Sequence, residues 1–222
     1  MTNKTILLFL IFFTSQTIYS QDLMSKKEIY LSWIKHDNDR ENPDNYKIGF
    51  DSIVSVFIDS LKVCNVDTIG AYEQDHVGSE SLDSCMCGII PWEANVHWIE
   101  NGITYHRRFT KCCIYETKQI DYSVLINYYS ATKTRIDNER IMPVITGTSK
   151  DKNGETLIEF SIVDHTTDFT LYCTLNGHSR FTRFQYYDLE NKDGIFQKDN
   201  ENSTINSWRK MIENQIEEID NK

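Results

Sequence analysis

Six cysteines carry the most reactive side chains of this chain. They are Cys64, Cys85, Cys87, Cys112, Cys113 and Cys173. In an exported protein an even number of cysteines is typical of disulfides, although the sequence leaves their pairing open. The alternative is a zinc site with four thiolate ligands, Cys85 and Cys87 together with Cys112 and Cys113. Structural zinc sites usually separate paired ligands by two to four residues, and neither pair has that spacing, so we favour disulfides.

Two histidines are the second candidate for chemistry because a predicted hairpin places them side by side. Asn101-Gly102 is the preferred pair for a two-residue type I′ turn, and the flanking residues alternate between apolar and polar. A two-residue turn pairs His97 with His106. Both imidazoles then lie at a non-hydrogen-bonded position, where cross-strand side chains are closest.

The neighbours of this pair favour a polar surface over a metal site. Zinc requires three or four ligands, whereas the adjacent side chains include Arg108, which repels a cation. We therefore interpret this side of the hairpin as an exposed polar face, with an anion-binding patch as the second interpretation. The predicted binding face consists of Asn95, His97, His106 and Arg108. We assign no catalytic residue, metal ligand or cofactor site.

The same register divides the whole hairpin between two faces. The predicted core face carries Trp92, Ala94, Val96, Trp98, Tyr105, Phe109 and Cys113. The predicted polar face carries Glu93, Asn95, His97, Thr104, His106, Arg108, Thr110 and Cys112. Because neighbouring residues of a strand point to opposite sides, Cys112 and Cys113 are expected to face away from each other. This placement further weakens the zinc interpretation.

Familiar catalytic motifs are missing from the sequence. It contains no glycine-rich phosphate loop, no G-x-S-x-G motif and no H-E-x-x-H motif. Nucleotide-binding, serine hydrolase and zinc protease functions therefore have no motif in their favour. Carboxylates are numerous enough to supply a glycosidase-like pair, but the sequence does not single one out.

The first twenty residues are typical of a cleavable export signal. Lys4 precedes an apolar run over residues 6–13, and a polar stretch follows up to Ser20. The apolar run is too short for a membrane-spanning helix, which needs about 20 residues. We predict that residues 1–20 are removed and that residues 21–222 form a single α+β domain. The protein is then periplasmic or secreted, without a stable membrane anchor.

Acidic residues dominate the charge of the chain. There are 33 Asp and Glu residues against 23 Lys and Arg residues, and the net charge is −10. Removal of Lys4 with the signal makes it −11. Nucleic acids require a basic face, so we predict no nucleic-acid partner. A basic protein is the partner class that this charge favours.

Hydrophobic periodicity predicts both helices and strands. The predicted helices are residues 23–36, 52–64 and 123–132, and a C-terminal helix that begins after an N-cap at Asn202 or Ser203. The predicted strands, besides the hairpin, are residues 141–148, 155–163, 169–176 and 177–188. Residues 65–90 are polar and irregular, and we expect a long loop there. The fold class is α+β, an antiparallel sheet of about four to six strands with N-terminal, middle and C-terminal helices packed on one face.

Two classes of function fit these observations. The favoured one is a non-enzymatic binding or interaction protein, such as an inhibitor, an immunity-type partner or an accessory protein. The alternative is an extracellular or periplasmic hydrolase with an unrecognised carboxylate or histidine site. A pocket with paired carboxylates would favour the hydrolase, and an exposed apolar patch would favour the binding protein.

Overall fold

A computed structural model describes residues 25–36, 42–76, 92–161, 163 and 166–220, so the predicted export signal lies outside the described residues. The α-helices of this part are α1 Lys26–His36, α2 Tyr46–Gly49, α3 Ser52–Val63, α4 Val124–Asn138, α5 Tyr186–Glu190, α6 Gln197–Glu201 and α7 Thr204–Asp220. The strands are β1 Thr68–His76, β2 Trp92–Glu100, β3 Ile103–Thr110, β4 Lys118–Ile120, β5 Ile145–Lys150, β6 Thr156–Phe160, β7 Thr167–Leu175 and β8 His178–Gln185.

The predicted α+β class is confirmed. Six strands form one antiparallel sheet in the order β4-β3-β2-β1-β7-β8, and β5 and β6 form a separate two-stranded sheet. Helices precede the sheet, interrupt it between β4 and β5, and follow it at the C-terminal end of the chain. Among the described helices, none has both the length and the apolar character needed to cross a membrane.

Two Asn-Gly pairs form tight turns, and the predicted turn at Asn101-Gly102 is confirmed. Asn101 and Gly102 have φ values of 52° and 77°, as a type I′ turn requires, and Asn176 and Gly177 have the same values. The first turn sets the register of β2 against β3, and the second sets β7 against β8. Cys173 lies opposite Arg180 in the second pair.

The central strand β1 corrects the prediction of a long loop over residues 65–90. Residues 68–76 pair with β2 on one side and with β7 on the other. Ile69 and Ala71 are completely buried. The polar residues at the end of this strand, Glu73 and Asp75, hid its strand character in the sequence. Residues 77–91 lie outside the described part of the chain.

Helices cover both faces of the sheet, whereas a single covered face was predicted. On one face α3 buries Val54 and Ile58 against the sheet. On the other face α4 and α7 bury Leu125 and Trp208. Gly70 in β1 allows the close approach of α4, because a Cβ atom at this position would lie only 2.0 Å from Cδ2 of Leu125. The polar residues of the hairpin misled the prediction, since their alternation resembles that of a solvent-facing sheet.

Candidate functional site

The histidine pair has its predicted register, but it lies in the interior. His97 pairs with His106 across β2 and β3, and the ring centroids are 4.7 Å apart. His97 has an exposed fraction of 0%, and His106 and Asn95 are also buried. The prediction of an exposed polar face is therefore wrong for these three residues, because helices cover this side of the sheet. Arg108 is only slightly exposed and pairs with Glu93 at 2.7 Å.

A chain of polar contacts links the predicted site residues. Nε2 of His106 lies 2.8 Å from Oδ1 of Asn95, whose Nδ2 donates to Glu93 at 2.8 Å. Arg108 donates to the other carboxylate oxygen of Glu93. Neither ring nitrogen of His97 has a hydrogen-bond partner among the described residues. Three of the four predicted residues, Asn95, His106 and Arg108, are thus joined through Glu93 in one polar network, and His97 packs on this network through the ring of His106.

Burial of His97 predicts a loss of stability in acid. Burial, with the charge of His106 as the second cause, holds the pKa of His97 well below its ordinary value of 6.5. The unfolded state therefore takes up a proton that the folded state does not. Because of this difference, the free energy of unfolding falls by about 1.4 kcal/mol per pH unit as the pH decreases below 6.5.

The variant His97→Leu tests this prediction because leucine does not titrate. Its free energy of unfolding, relative to the wild type, is expected to rise by about 1.4 kcal/mol per unit as the pH falls below 6.5. Urea unfolding at several pH values measures this difference. Met211→Gln, at an exposed residue of α7 that does not titrate, is the control and should follow the wild type. A difference between His97→Leu and wild type that does not change with pH would contradict the prediction.

The four described cysteines form no disulfide with one another, and the disulfide pairing of all six cysteines stays a prediction. Cys64, Cys112 and Cys113 are exposed, and Cys173 is buried. Cys173 lies in the core beneath α4 and α7, where burial raises the pKa of its thiol well above the ordinary value. A thiol enclosed in this way packs as a small apolar side chain. The other two disulfide candidates, Cys85 and Cys87, lie outside the described residues.

The strand placement of Cys112 and Cys113 also needs correction. β3 ends at Thr110, whose backbone N–H donates to the carbonyl of Cys113 at 2.8 Å, so residues 110–113 form a turn. The two thiols therefore do not alternate across a strand. Within the described part of the chain, no group of three or more His, Cys, Asp or Glu side chains is arranged to hold a metal ion. The zinc alternative, which requires Cys85 and Cys87, stays untested.

A buried carboxyl group lies beneath the N-terminus of α3. Glu73 is buried, and its Oε2 accepts a hydrogen bond of 3.0 Å from the backbone N–H of Asp51, the N-cap residue of α3. Burial raises the pKa of Glu73 to about 7, against the lowering effect of the Asp51 amide. Asp75 lies opposite Asp168 across β1 and β7, and burial and then the charge of Asp168 raise the pKa of Asp75. Carboxyl groups with raised pKa values are common in active sites, so Glu73 and Asp75 are the residues that support the hydrolase alternative.

The protonation of Glu73 makes stability depend on pH in the opposite direction to that of His97. Burial raises the pKa of Glu73 from its ordinary value of 4.5 to about 7, so between these pH values the folded state holds a proton that the unfolded state releases. The free energy of unfolding therefore falls as the pH rises from 4.5 to about 7, by about 3 kcal/mol at most. Between pH 4.5 and 6.5 the two effects partly cancel in the wild type.

Glu73→Gln removes the charge and keeps an oxygen for the Asp51 amide. Its advantage in free energy of unfolding over the wild type is expected to grow by up to about 3 kcal/mol between pH 4.5 and 7. Urea unfolding of both proteins across this range measures the difference. Glu116→Gln, at an exposed glutamate, serves as the control. An advantage that shrinks as the pH rises would refute the assignment.

The outer side of α3 carries an exposed apolar stripe. Seven of the twelve residues of α3 are apolar. The side that faces the core buries only some of them, so the others lie on the outer side of the helix. The exposed fractions are 39% for Ile53, 68% for Val56 and 82% for Val63. We call these three residues the α3 stripe. The opposite side of α3 places Val54, Ile58 and Leu61 in the core.

The α3 stripe has the spacing of a helix-packing seam. Residues 53, 56, 60 and 63 repeat at intervals of three and four, as the a and d positions of a coiled coil do, with Ser60 as the polar member. Asp59 flanks the seam. Its carboxylate accepts a hydrogen bond from the hydroxyl of Tyr46 and lies 3.5 Å from Nζ of Lys47.

No family model, curated protein or solved structure matches this chain. Two clefts in the described part of the chain are large enough for a small molecule. One, of about 320 Å³, lies between β4 and α7, and the other, of about 470 Å³, lies between α5, α6 and α7. Neither is lined by His97 or Glu73.

Sequence patterns did not reveal the larger cleft. The predicted strand over residues 177–188 ends at Gln185, and α5 begins at Tyr186. The side chain of Asp188 accepts a hydrogen bond from the backbone N–H of Gln185 at 3.0 Å and so caps this helix. The local signal of a helix start was the pair Gln185 and Asp188, a polar residue followed three positions later by an acidic one, as in a capping box.

Proposed function

We propose that this protein is a non-enzymatic binding protein that uses the α3 stripe to bind one helix of a basic partner protein. The observation that carries the proposal is the exposure of Ile53, Val56 and Val63 on a helix whose opposite side is in the core. Surface helices normally turn charged and polar residues to water. Exposed apolar residues that follow one seam are typical of an interaction surface.

The spacing of the stripe supports a helix as the occupant. A seam at intervals of three and four matches the groove between the side chains of a second helix, which crosses at a small angle. Ser60 in the middle of the seam is suited to specify register, as single polar residues do at such positions. An extended strand would match side chains at intervals of two instead.

Charge supports a basic partner. The chain carries a net charge of −10, and Asp59 beside the seam shares its partly exposed carboxylate with Lys47, at 3.5 Å. Complementary charge at the rim of an interface speeds association and suppresses wrong partners. We therefore expect Lys or Arg residues on the flank of the partner helix. Because the sequence predicts an export signal, we expect this partner in the periplasm or outside the cell.

A hydrolase centred on Glu73 is the second candidate, and the pKa of about 7 for this buried carboxyl group is its support. It ranks second because the second carboxylate needed for glycoside hydrolysis is not identified. A hydrolytic activity that is lost in Glu73→Gln and retained in Val56→Gln would reverse the ranking.

Affinity capture from the native host tests the proposal. Tagged wild-type protein is expected to retain a basic protein in stoichiometric amount. Bait carrying Val56→Gln and Val63→Gln is expected to lose it, whereas bait carrying Met211→Gln, at an exposed residue of α7, keeps it. Capture that survives the double replacement would contradict the proposal, and so would a second copy of this chain as the retained protein.

A further inference from the structure

The cleft between α5, α6 and α7 is lined by charged and polar side chains, unlike the apolar α3 stripe. Buried Leu189, Asn206 and Arg209 line it, together with exposed charged side chains of both signs. We propose that this cleft binds a small zwitterion of the amino-acid type, with its carboxylate at Arg209 and the neighbouring lysines and its ammonium group at the glutamates. The inference is independent of the α3 stripe.

Arg209 is the anchor of the proposed site. Its Nε donates to Oδ1 of Asn206 at 3.1 Å, and its Nη1 donates to both carboxylate oxygens of Glu213 at 2.7 and 2.8 Å. The guanidinium group also lies 4.8 Å from the ring centroid of Phe169. These contacts hold the group in one orientation. Its Nη2 has no hydrogen-bond partner among the described residues and can donate to a ligand carboxylate.

The other charged groups of the cleft are not neutralised by one another. Within the described part of the chain, Lys192 and Lys210 form no ion pair. Glu190 accepts a hydrogen bond from the hydroxyl of Tyr186, and Glu201 accepts one of 3.1 Å from Nε2 of Gln197. Both carboxylates are thus oriented by neutral donors, and neither forms an ion pair with a described cation that a ligand would have to displace.

The balance of charges identifies the ligand class. With Arg209 paired to Glu213, the cleft presents two lysines against two glutamates, so it offers no net attraction to a simple anion or a simple cation. A ligand with both charges can use both sets of groups. The volume of about 470 Å³ lies within the usual range for small-molecule sites, and Tyr186 and Leu189 provide apolar surface for a side chain.

Titration of the purified protein with single L-amino acids tests the inference, with acetate and methylamine as probes that carry only one of the two charges. At least one amino acid at about 10 mM is expected to raise the thermal midpoint by about 3 °C or more, and acetate and methylamine are not. Lys210→Ala and Glu190→Gln, both at exposed positions, are each expected to weaken binding about tenfold. Lys198→Ala, at an exposed lysine outside the cleft, is expected to bind as the wild type does.

Three results would overturn the inference. The first is that no amino acid changes the thermal midpoint at about 10 mM. The second is that acetate alone binds as well as the best amino acid, which would make this a carboxylate site. The third is that binding persists unchanged in both Lys210→Ala and Glu190→Gln while these variants unfold as the wild type does.

Discussion

Replacing Val56 and Val63 together by glutamine is expected to weaken binding of the basic partner by about 100-fold or more. Both side chains are largely exposed in the free protein and become buried in the proposed complex. Burial of a valine side chain contributes about 1.5 kcal/mol, so the loss of two costs about 3 kcal/mol of binding free energy. Isothermal titration calorimetry with the captured partner measures the change.

The same double variant should fold normally, because neither valine packs in the core and glutamine is a good helix former. Its midpoint of urea unfolding is therefore expected to match that of the wild type. Met211→Gln controls for the loss of an exposed apolar residue elsewhere. A double variant that is stable and still binds with wild-type affinity would exclude the α3 stripe as the interface.

Trp208→Ala is expected to lower the free energy of unfolding by about 4–5 kcal/mol, a large part of the stability of a domain. Trp208 is completely buried in α7 and stacks on Tyr129 of α4, with ring centroids 5.5 Å apart. Its Nε1 donates a hydrogen bond of 2.8 Å to the backbone carbonyl of Leu125. Alanine leaves a cavity and removes the second hydrogen bond of the Leu125 carbonyl, which keeps its bond within α4.

Trp208→Phe separates these two contributions. Phenylalanine keeps much of the ring packing but cannot donate to Leu125, so we expect a smaller loss, about half that of Trp208→Ala. Urea unfolding at fixed pH measures both variants. A loss below about 1 kcal/mol for Trp208→Ala would show that α7 does not pack on α4 as described.

Local signals account for the parts of the fold that could be predicted from the sequence. The Asn101-Gly102 turn requires positive φ values that these residue types tolerate, and it determined the His97–His106 pairing correctly. Ser203 caps α7 by accepting from the backbone N–H of Asn206 at 3.0 Å, one of the two cap positions that the sequence indicated. Such features depend on residues only a few positions apart.

Packing between parts of the chain that are distant in sequence accounts for the predictions that were wrong. Whether the polar side of the hairpin faces water depends on α4 and α7, which are distant in sequence from His97. Strand β1 owes its place to pairing with β7, about a hundred residues away, rather than to its own alternation. For α3, seven apolar residues permit more than one buried side, and only the sheet decides that Val54 is inside and Val56 outside.

Site-specific photo-crosslinking at position 56 in the native host tests the central claim most directly. A photoreactive residue replaces Val56 in one protein and Met211 in another, so that both report on exposed positions of long helices. The proposed function predicts one crosslinked adduct at position 56, whose added mass belongs to a basic protein attached through a helix, and none with that protein at position 211. No adduct at position 56, or the same adduct at both positions, would contradict it.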